Sequence, residues 1–260
     1  MLKTRVIPLL IIQDGLLKKP VQFKNPRTIA NPISIVRVFE ERQVDELILL
    51  DRGLTIEKDE ADPELIRQIA EELFVPFAFG GGIRDIETMK KIIQAGAEKV
   101  VINTAAVERP ELIQEGAERF GSQCIVVSID AYKHDWGYEV FTMSGSKPTG
   151  IRADEWAIKA EKLGAGEILI NSITHDGMMK GYDIELIRMI SGSVKIPVIA
   201  AGGVGRLDDF VKAVKEGHAS AVAAASIYHY TKFTPNMVKG VLKKAGIPVR
   251  MYPDENYEIT

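Results

Sequence analysis

Two glycine clusters carry the clearest chemical signal. Gly80-Gly81-Gly82 closes one short apolar run, and Gly202-Gly203-Val204-Gly205 closes another. Glycine permits positive φ and close backbone approach. A helical pattern follows each cluster, so free N–H groups can face an anion. Two further apolar runs end in small residues, Asn103-Thr104-Ala105-Ala106 and Ala223-Ala224-Ala225-Ser226. Small side chains leave room for a phosphate, and the hydroxyls of Thr104 and Ser226 can donate to it. One glycine cluster would be weak evidence, because turns need glycine anyway. Two clusters, each paired with a small-residue strand end at matched spacing, predict two phosphate sites across one mouth. The expected ligand is a small molecule phosphorylated at both ends.

Acids stand at other strand ends. In Val126-Val-Ser128-Ile-Asp130, alternation puts Val126, Ser128 and Asp130 on one face. Asp130 would then point into the mouth as a general acid or base; a loop-capping role is the alternative. Asp14, Asp51 and Asp176 also follow strands, but Asp14-Gly15 and Asp176-Gly177 are equally good turn sequences. Lys19 can clamp a phosphate or lie solvated on the surface.

A second constellation belongs to the opposite end. Arg5, Glu46, Lys99 and Glu167 each open a strand, with the parity of Ile11, Leu50, Asn103 and Asn171. If that parity points inward, two cations and two anions ring the barrel floor. Buried charges are costly unless paired, so a closed network is expected, either as a polar plug or as a gate for a small polar molecule.

The elements that must position these residues alternate strictly. Strands are expected at 5–12, 46–51, 76–79, 98–103, 123–130, 167–171, 197–201 and 220–225. Helices are expected near 32–43, 62–73, 85–95, 109–119, 152–164, 183–191, 206–217 and 235–244. Eight strand–helix units imply a parallel sheet covered by helices, and strands apolar throughout imply burial on both faces. The fold class expected is a (β/α)8 TIM barrel forming one domain over residues 1–260. Pro8 deletes a ladder donor inside the first strand, so a local irregularity is expected there. Two long loops, 13–31 and 131–150, follow strand C-termini, where barrel sites form. Residues 246–260 read as a mobile tail. Pro76-Phe-Ala-Phe-Gly-Gly-Gly-Ile recurs as Pro197-Val-Ile-Ala-Ala-Gly-Gly-Val 121 residues later, so the chain reads as two half-barrels.

Bulk properties narrow the class. The 260 residues are 46% hydrophobic and carry 33 basic and 36 acidic side chains, a formal net charge of −3. Binding to nucleic acid or membrane through bulk charge is not expected. Cys124, the one cysteine, adjoins an apolar run and reads as an inert core thiol. The apolar start from Val6 to Ile12 is too short to span a bilayer, and a cytoplasmic location is expected. His134, His175, His218 and His229 lack ligand spacing, so no metal or other cofactor is expected and surface positions are the expectation for all four.

Val6 to Gly15, Phe79-Gly-Gly-Gly-Ile83, Lys99 to Ala106, Gly121-Ser-Gln123, Ser128-Ile-Asp130, Gly164 to Ile168, Asp176-Gly177, Gly181-Tyr-Asp183 and Gly202-Gly203 resemble the cyclase subunit of imidazole glycerol phosphate synthase over nearly the whole chain. The resemblance implies a glutaminase partner docked on the bottom face. Ammonia would pass a charged gate, matched by Arg5, Glu46, Lys99 and Glu167, and rise through the barrel. At the top it would react with a bisphosphorylated ribonucleotide, giving imidazole glycerol phosphate and an aminoimidazole carboxamide ribonucleotide. The phosphates would sit at Gly82, Asn103 and Thr104, and at Gly203, Ala225 and Ser226.

The departures gather at the top. The family reaction relies on aspartates at the ends of strands one and five. The second is Asp130, but the first falls at Ile11, which pairs with Asp130 across the repeat and cannot exchange a proton. Asn171 replaces a threonine, Ala201 a serine, and Met178 the usual threonine after Gly177. With its gate kept and its mouth altered, the chain resembles the divergent branch of acetamidino-sugar pathways, whose apolar first strand is matched by Pro8 to Ile12. That branch works with a glutaminase-like partner and a separate sugar amidotransferase, and the expected role is to accept ammonia and hand it onward. Rival readings are a histidine-pathway cyclase using Asp130 with Asp51 or Asp176, a non-catalytic conduit that activates a glutaminase, and the isomerase cousin, which also needs the acid missing at Ile11.

Overall fold

The computed structural model describes residues 3–57 and 59–252. Eight parallel strands close on themselves: β1 (Arg5–Gln13), β2 (Leu47–Asp51), β3 (Phe77–Gly80), β4 (Lys99–Ile102), β5 (Ile125–His134), β6 (Glu167–Ser172), β7 (Val198–Ala201) and β8 (Ala221–Ala224). Each pairs with its chain neighbour, and β8 pairs with β1 to complete a (β/α)8 barrel. The main helices are α1 (Pro32–Glu41), α2 (Pro63–Glu71), α3 (Ile86–Gln94), α4 (Glu111–Phe120), α5 (Ala153–Lys162), α6 (Ile184–Ser193), α7 (Leu207–Lys215) and α8 (Pro235–Lys244).

Side-chain alternation makes two cores. Ile7 and Leu9 of β1 pack inside the barrel with Ile48, Ala78, Val101, Val126, Leu169 and Ile199. Val6, Leu10 and Ile12 point the other way, into the layer between strands and helices. The helices turn apolar stripes toward that layer, as α2 does with Ile66 and Ile69. Each such residue contributes roughly 1.5–3 kcal/mol on full burial. Local signals set several helix starts. The side chains of Asn31, Asp62, Asp85, Asp183 and Thr234 accept from first-turn amides of α1, α2, α3, α6 and α8. Proline occupies the first position of α1, α2 and α8.

Four expectations change. β1 runs through Pro8 without a break, because Pro8 is the last residue of the ladder to β8 and the strand then pairs with β2 from Leu9. The missing donor therefore falls where one ladder hands over to the next. The stretches 13–31 and 131–150 are ordered hairpin extensions. Leu16–Val21 pairs antiparallel with Lys24–Ala30, and β5 continues into an antiparallel ribbon with Gly137–Thr142 and Lys147–Arg152. Positive φ at Asp14 and Gly15, and at Met143, Ser144 and Gly145, makes the turns. Residues 246–252 are packed: Ile247 and Val249 are buried, and the Thr4 amide donates to the Pro248 carbonyl at 2.7 Å. The rest of the expected tail, 253–260, lies outside the described residues. Cys124 is half-buried in a short turn before β5, so it is no core thiol; burial raises its pKa.

Candidate active site

A cavity of about 490 Å³ opens at the C-terminal ends of the strands. Its wall includes every residue expected at the mouth: Lys19, Asp51, Gly82, Asn103, Thr104, Asp130, Asn171, Asp176, Gly203, Ala225 and Ser226. The two small-residue strand ends have the same backbone. Asn103 has φ −126° and ψ −80°, and Ala225 has φ −124° and ψ −73°. Each leads into a short helix, Thr104–Glu108 or Ser226–Tyr230, that lacks a side-chain cap. Uncapped first-turn amides are donors in need of acceptors. Thr104 Oγ1 accepts from the Met143 amide at 3.0 Å, leaving its own proton to donate elsewhere.

The glycines are required by the walls. A Cβ on Gly81 would lie 2.1 Å from the Asp51 carbonyl oxygen, and one on Gly203 would lie 2.3 Å from that of Gly181. Both have positive φ, 121° and 103°. Backbone thus approaches backbone closely at both glycine clusters.

Asp130 is 8% exposed and accepts from the Asn103 side chain at 2.9 Å. Burial, then the charge of Asp176, pushes its pKa up to about 7, against hydrogen bonds from Asn171 and Asn103 and the charge of Arg52. It can therefore take or give a proton near neutrality. Asp51 is raised to about 6, chiefly by burial, while the amides of Leu54 and Gly53 pull the other way. Its Oδ1 accepts from the Gly53 amide at 3.0 Å, at the start of the short helix Arg52–Glu57. Lys19 is buried rather than solvated, and its Nζ lies 2.9 Å from Asp176 Oδ1. Asp14 pairs with Lys18 at the tip of the first hairpin.

The hairpins roof this mouth. The Gln22 amide donates to the Asp176 carbonyl at 2.9 Å, and the turn at Gly145 packs against the Phe23 ring. His175 is half-buried, not on the surface: its Nδ1 lies 3.0 Å from Ser172 Oγ and 3.4 Å from Asp183 Oδ2. His229 is also half-buried, and burial, then Lys19, lowers its pKa to about 4. No cluster of three or more metal-binding side chains occurs among the described residues.

Arg52 is a mouth residue that the sequence reading missed. It lines the cavity and donates through Nη2 to the Phe23 carbonyl at 3.2 Å. The signal was present: a cation directly after Asp51 at a strand C-terminus belongs to the mouth as much as an acid does.

At the other end the four charges close a ring. Arg5 bonds Glu46, and reaches Glu167 at 2.9 Å; Lys99 reaches Glu46 at 2.7 Å and Glu167 at 3.2 Å. Inner-face parity puts all four on the barrel axis below Ile7, Ile48, Val101 and Leu169.

A barrel with this repeat and this mouth belongs to a recognised class. The family profile described as "Histidine biosynthesis protein" matches residues 5–234. A protein of Dehalococcoides mccartyi strain 195, named imidazole glycerol phosphate synthase subunit HisF, is 49% identical over 251 residues, covering 96% of this chain and 99% of its own. Namesakes from strains BAV1 and CBDB1 are each 46% identical over the same shares. The chain belongs to the HisF family of imidazole glycerol phosphate synthase subunits. No helix among the described residues is long and apolar enough to cross a membrane.

Proposed function

We propose that this chain is the ammonia-receiving, cyclase-type subunit of a glutamine amidotransferase complex. A HisH-like glutaminase docks on the N-terminal face, and ammonia enters past Arg5, Glu46, Lys99 and Glu167. A phosphorylated substrate lies in the mouth, with one phosphate at Gly82, Asn103 and Thr104 and the other at Gly203, Ala225 and Ser226. Asp130 is the acid–base group. Asn171 orients it, and Lys19 with Asp176 closes the roof.

The observation that carries this reading is the asymmetry between the two ends. The bottom ring is complete, with four ion pairs among four side chains. The top has Asp130 on one side and the apolar pair Ile11 and Leu50 on the other. General acid–base assistance is worth about 10²–10⁴-fold, so a reaction built on two acids loses most of its rate here. In the finer form of the reading, the ammonia goes onward to acetamidino-sugar formation through a separate sugar amidotransferase.

A histidine-pathway cyclase is the second reading, and two observations favour it. The relatives at 46–49% identity carry that enzyme's name. Asp51 also lines the mouth with a pKa near 6, as a substitute second acid would require.

The partner is tested by mixing the full chain with a HisH-type glutaminase. A heterodimer on gel filtration, with glutamine hydrolysis accelerated at least tenfold, is the expected result. Separate elution with unchanged hydrolysis would overturn the proposal.

A further inference from the structure

The floor ring is braced from outside the barrel. Lys239 on α8 is fully buried; its Nζ lies 2.8 Å from Asp45 Oδ1 and donates to the Gln43 carbonyl at 2.9 Å. The Tyr252 ring covers the ammonium at 5.1 Å. Asp45 is buried too, and its Oδ2 accepts from the Val6 amide at 2.9 Å. The ladder between β1 and β2 begins at Leu9 and Ile48. Carried back three residues, the same register sets Val6 opposite Asp45. A side-chain carboxylate thus stands in for a backbone acceptor just before β2 begins. Val6 follows Arg5, and Glu46 follows Asp45. One carboxylate therefore ties together the neighbours of both partners in the Arg5–Glu46 ion pair.

Asp45 needs a brace of its own. The turn before it passes through Gln43 at φ 49°, a left-handed conformation that a residue with a side chain keeps only when its surroundings hold it. Lys239 ties down Gln43 and Asp45 at once. The turn cannot shift without giving up a buried ion pair, which leaves a charge unmet. We propose that Lys239 is a positioning residue for the floor ring: acting through Asp45, it aligns Glu46 with Arg5 and Lys99. Its bearing on ammonia entry rests on reading the ring as an entrance; the alignment itself does not.

The test is pulsed acetylation of the full chain with N-hydroxysuccinimidyl acetate, read at each lysine by peptide mass spectrometry. Lys99 reports on the ring, because Glu46 and Glu167 hold its Nζ and its side chain is 15% exposed. Lys147, 61% exposed on the ribbon that extends β5, is the internal reference. Lys239→Met alone strands the Asp45 charge and should lower the melting temperature. The deciding variant combines Lys239→Met with Asp45→Asn: it leaves no charge over, and the asparagine oxygen can still accept from Val6. Lys99 should then be acetylated about fivefold faster relative to Lys147, the scale of a loosened ion pair. Lys239→Arg keeps the cation and should retain most of the protection. Lys239→Gln, which can reach the Gln43 carbonyl but offers Asp45 no charge, carries the same test if the double variant does not fold. A purely structural role would lower the melting temperature and leave the Lys99 rate unchanged. That result, or a rise as large in Lys239→Arg, would overturn the proposal. No glutaminase takes part, so failure of the chain to bind one would remove the entrance reading and leave this alignment standing.

Discussion

Ile11 lies beside Leu50 in the parallel ladder of β1 and β2. In the second half Asp130 lies beside Asn171 in the ladder of β5 and β6. Leu50 and Asn171 are equivalent at the 121-residue offset of the repeat, so Ile11 occupies the place of Asp130. At this level of the barrel one ladder thus presents a polar pair, Asp130 and Asn171, and the other an apolar pair, Ile11 and Leu50. Ile11 and Leu50 both pack onto the inner core.

The buried acid sets a pH dependence of stability. The Asp130 pKa is about 7 in the folded chain, against about 3.9 for an unperturbed aspartate. Between those values the folded state binds more protons than the unfolded one, so stability falls as pH rises from about 4 to 7 and levels off above. Asparagine mimics the neutral acid. Asp130→Asn should therefore gain stability relative to the parent between pH 5 and pH 8, by on the order of 1–3 kcal/mol. Urea unfolding at the two pH values checks this, and a constant gap between variant and parent would contradict it.

The floor ring should respond to the loss of one member more than to the loss of a pair. Glu46→Gln leaves Arg5 and Lys99 with Glu167 alone, at an expected cost of about 3 kcal/mol. Replacing Glu46 and Lys99 together by leucine and methionine should cost less than the single change, since well-packed apolar groups can stand in for buried ion pairs. Chemical denaturation of the three proteins gives the comparison. The reverse order would mean the ring contributes little as a network.

Gly203→Ala tests the cradle in the second half. The added Cβ meets the Gly181 carbonyl at 2.3 Å with φ at 103°, a conformation that costs of order 1–3 kcal/mol for a residue with a side chain. The melting temperature should fall, and affinity for a sugar phosphate should drop at least tenfold. Gly150→Ala, also at positive φ but with open space around it, should leave that affinity unchanged.

Much of this was legible in the residues. Strand parity put Arg5, Glu46, Lys99 and Glu167 on one inner face before any contact was known, and the repeat marked Gly82 and Gly203 as equivalents. The hairpins were read as loops because their pairing is antiparallel and local, and Lys18-Lys19-Pro20 and Lys24-Asn25-Pro26 give little apolar alternation. Burial of Lys19 could not be read either, since it depends on Asp176, which is 157 residues away. Arg52 belongs to no glycine cluster or repeated motif, and only its place directly after Asp51 marks it.

The most direct measurement is ammonium-dependent turnover of the histidine-pathway bisphosphate ribonucleotide by the natural protein and by Ile11→Asp. If position 11 marks the lost acid, the natural protein is silent or nearly so, and Ile11→Asp gains about 10²-fold or more. Turnover by the natural protein at the rate of a histidine-pathway cyclase would contradict this and make Asp51 the second acid to examine.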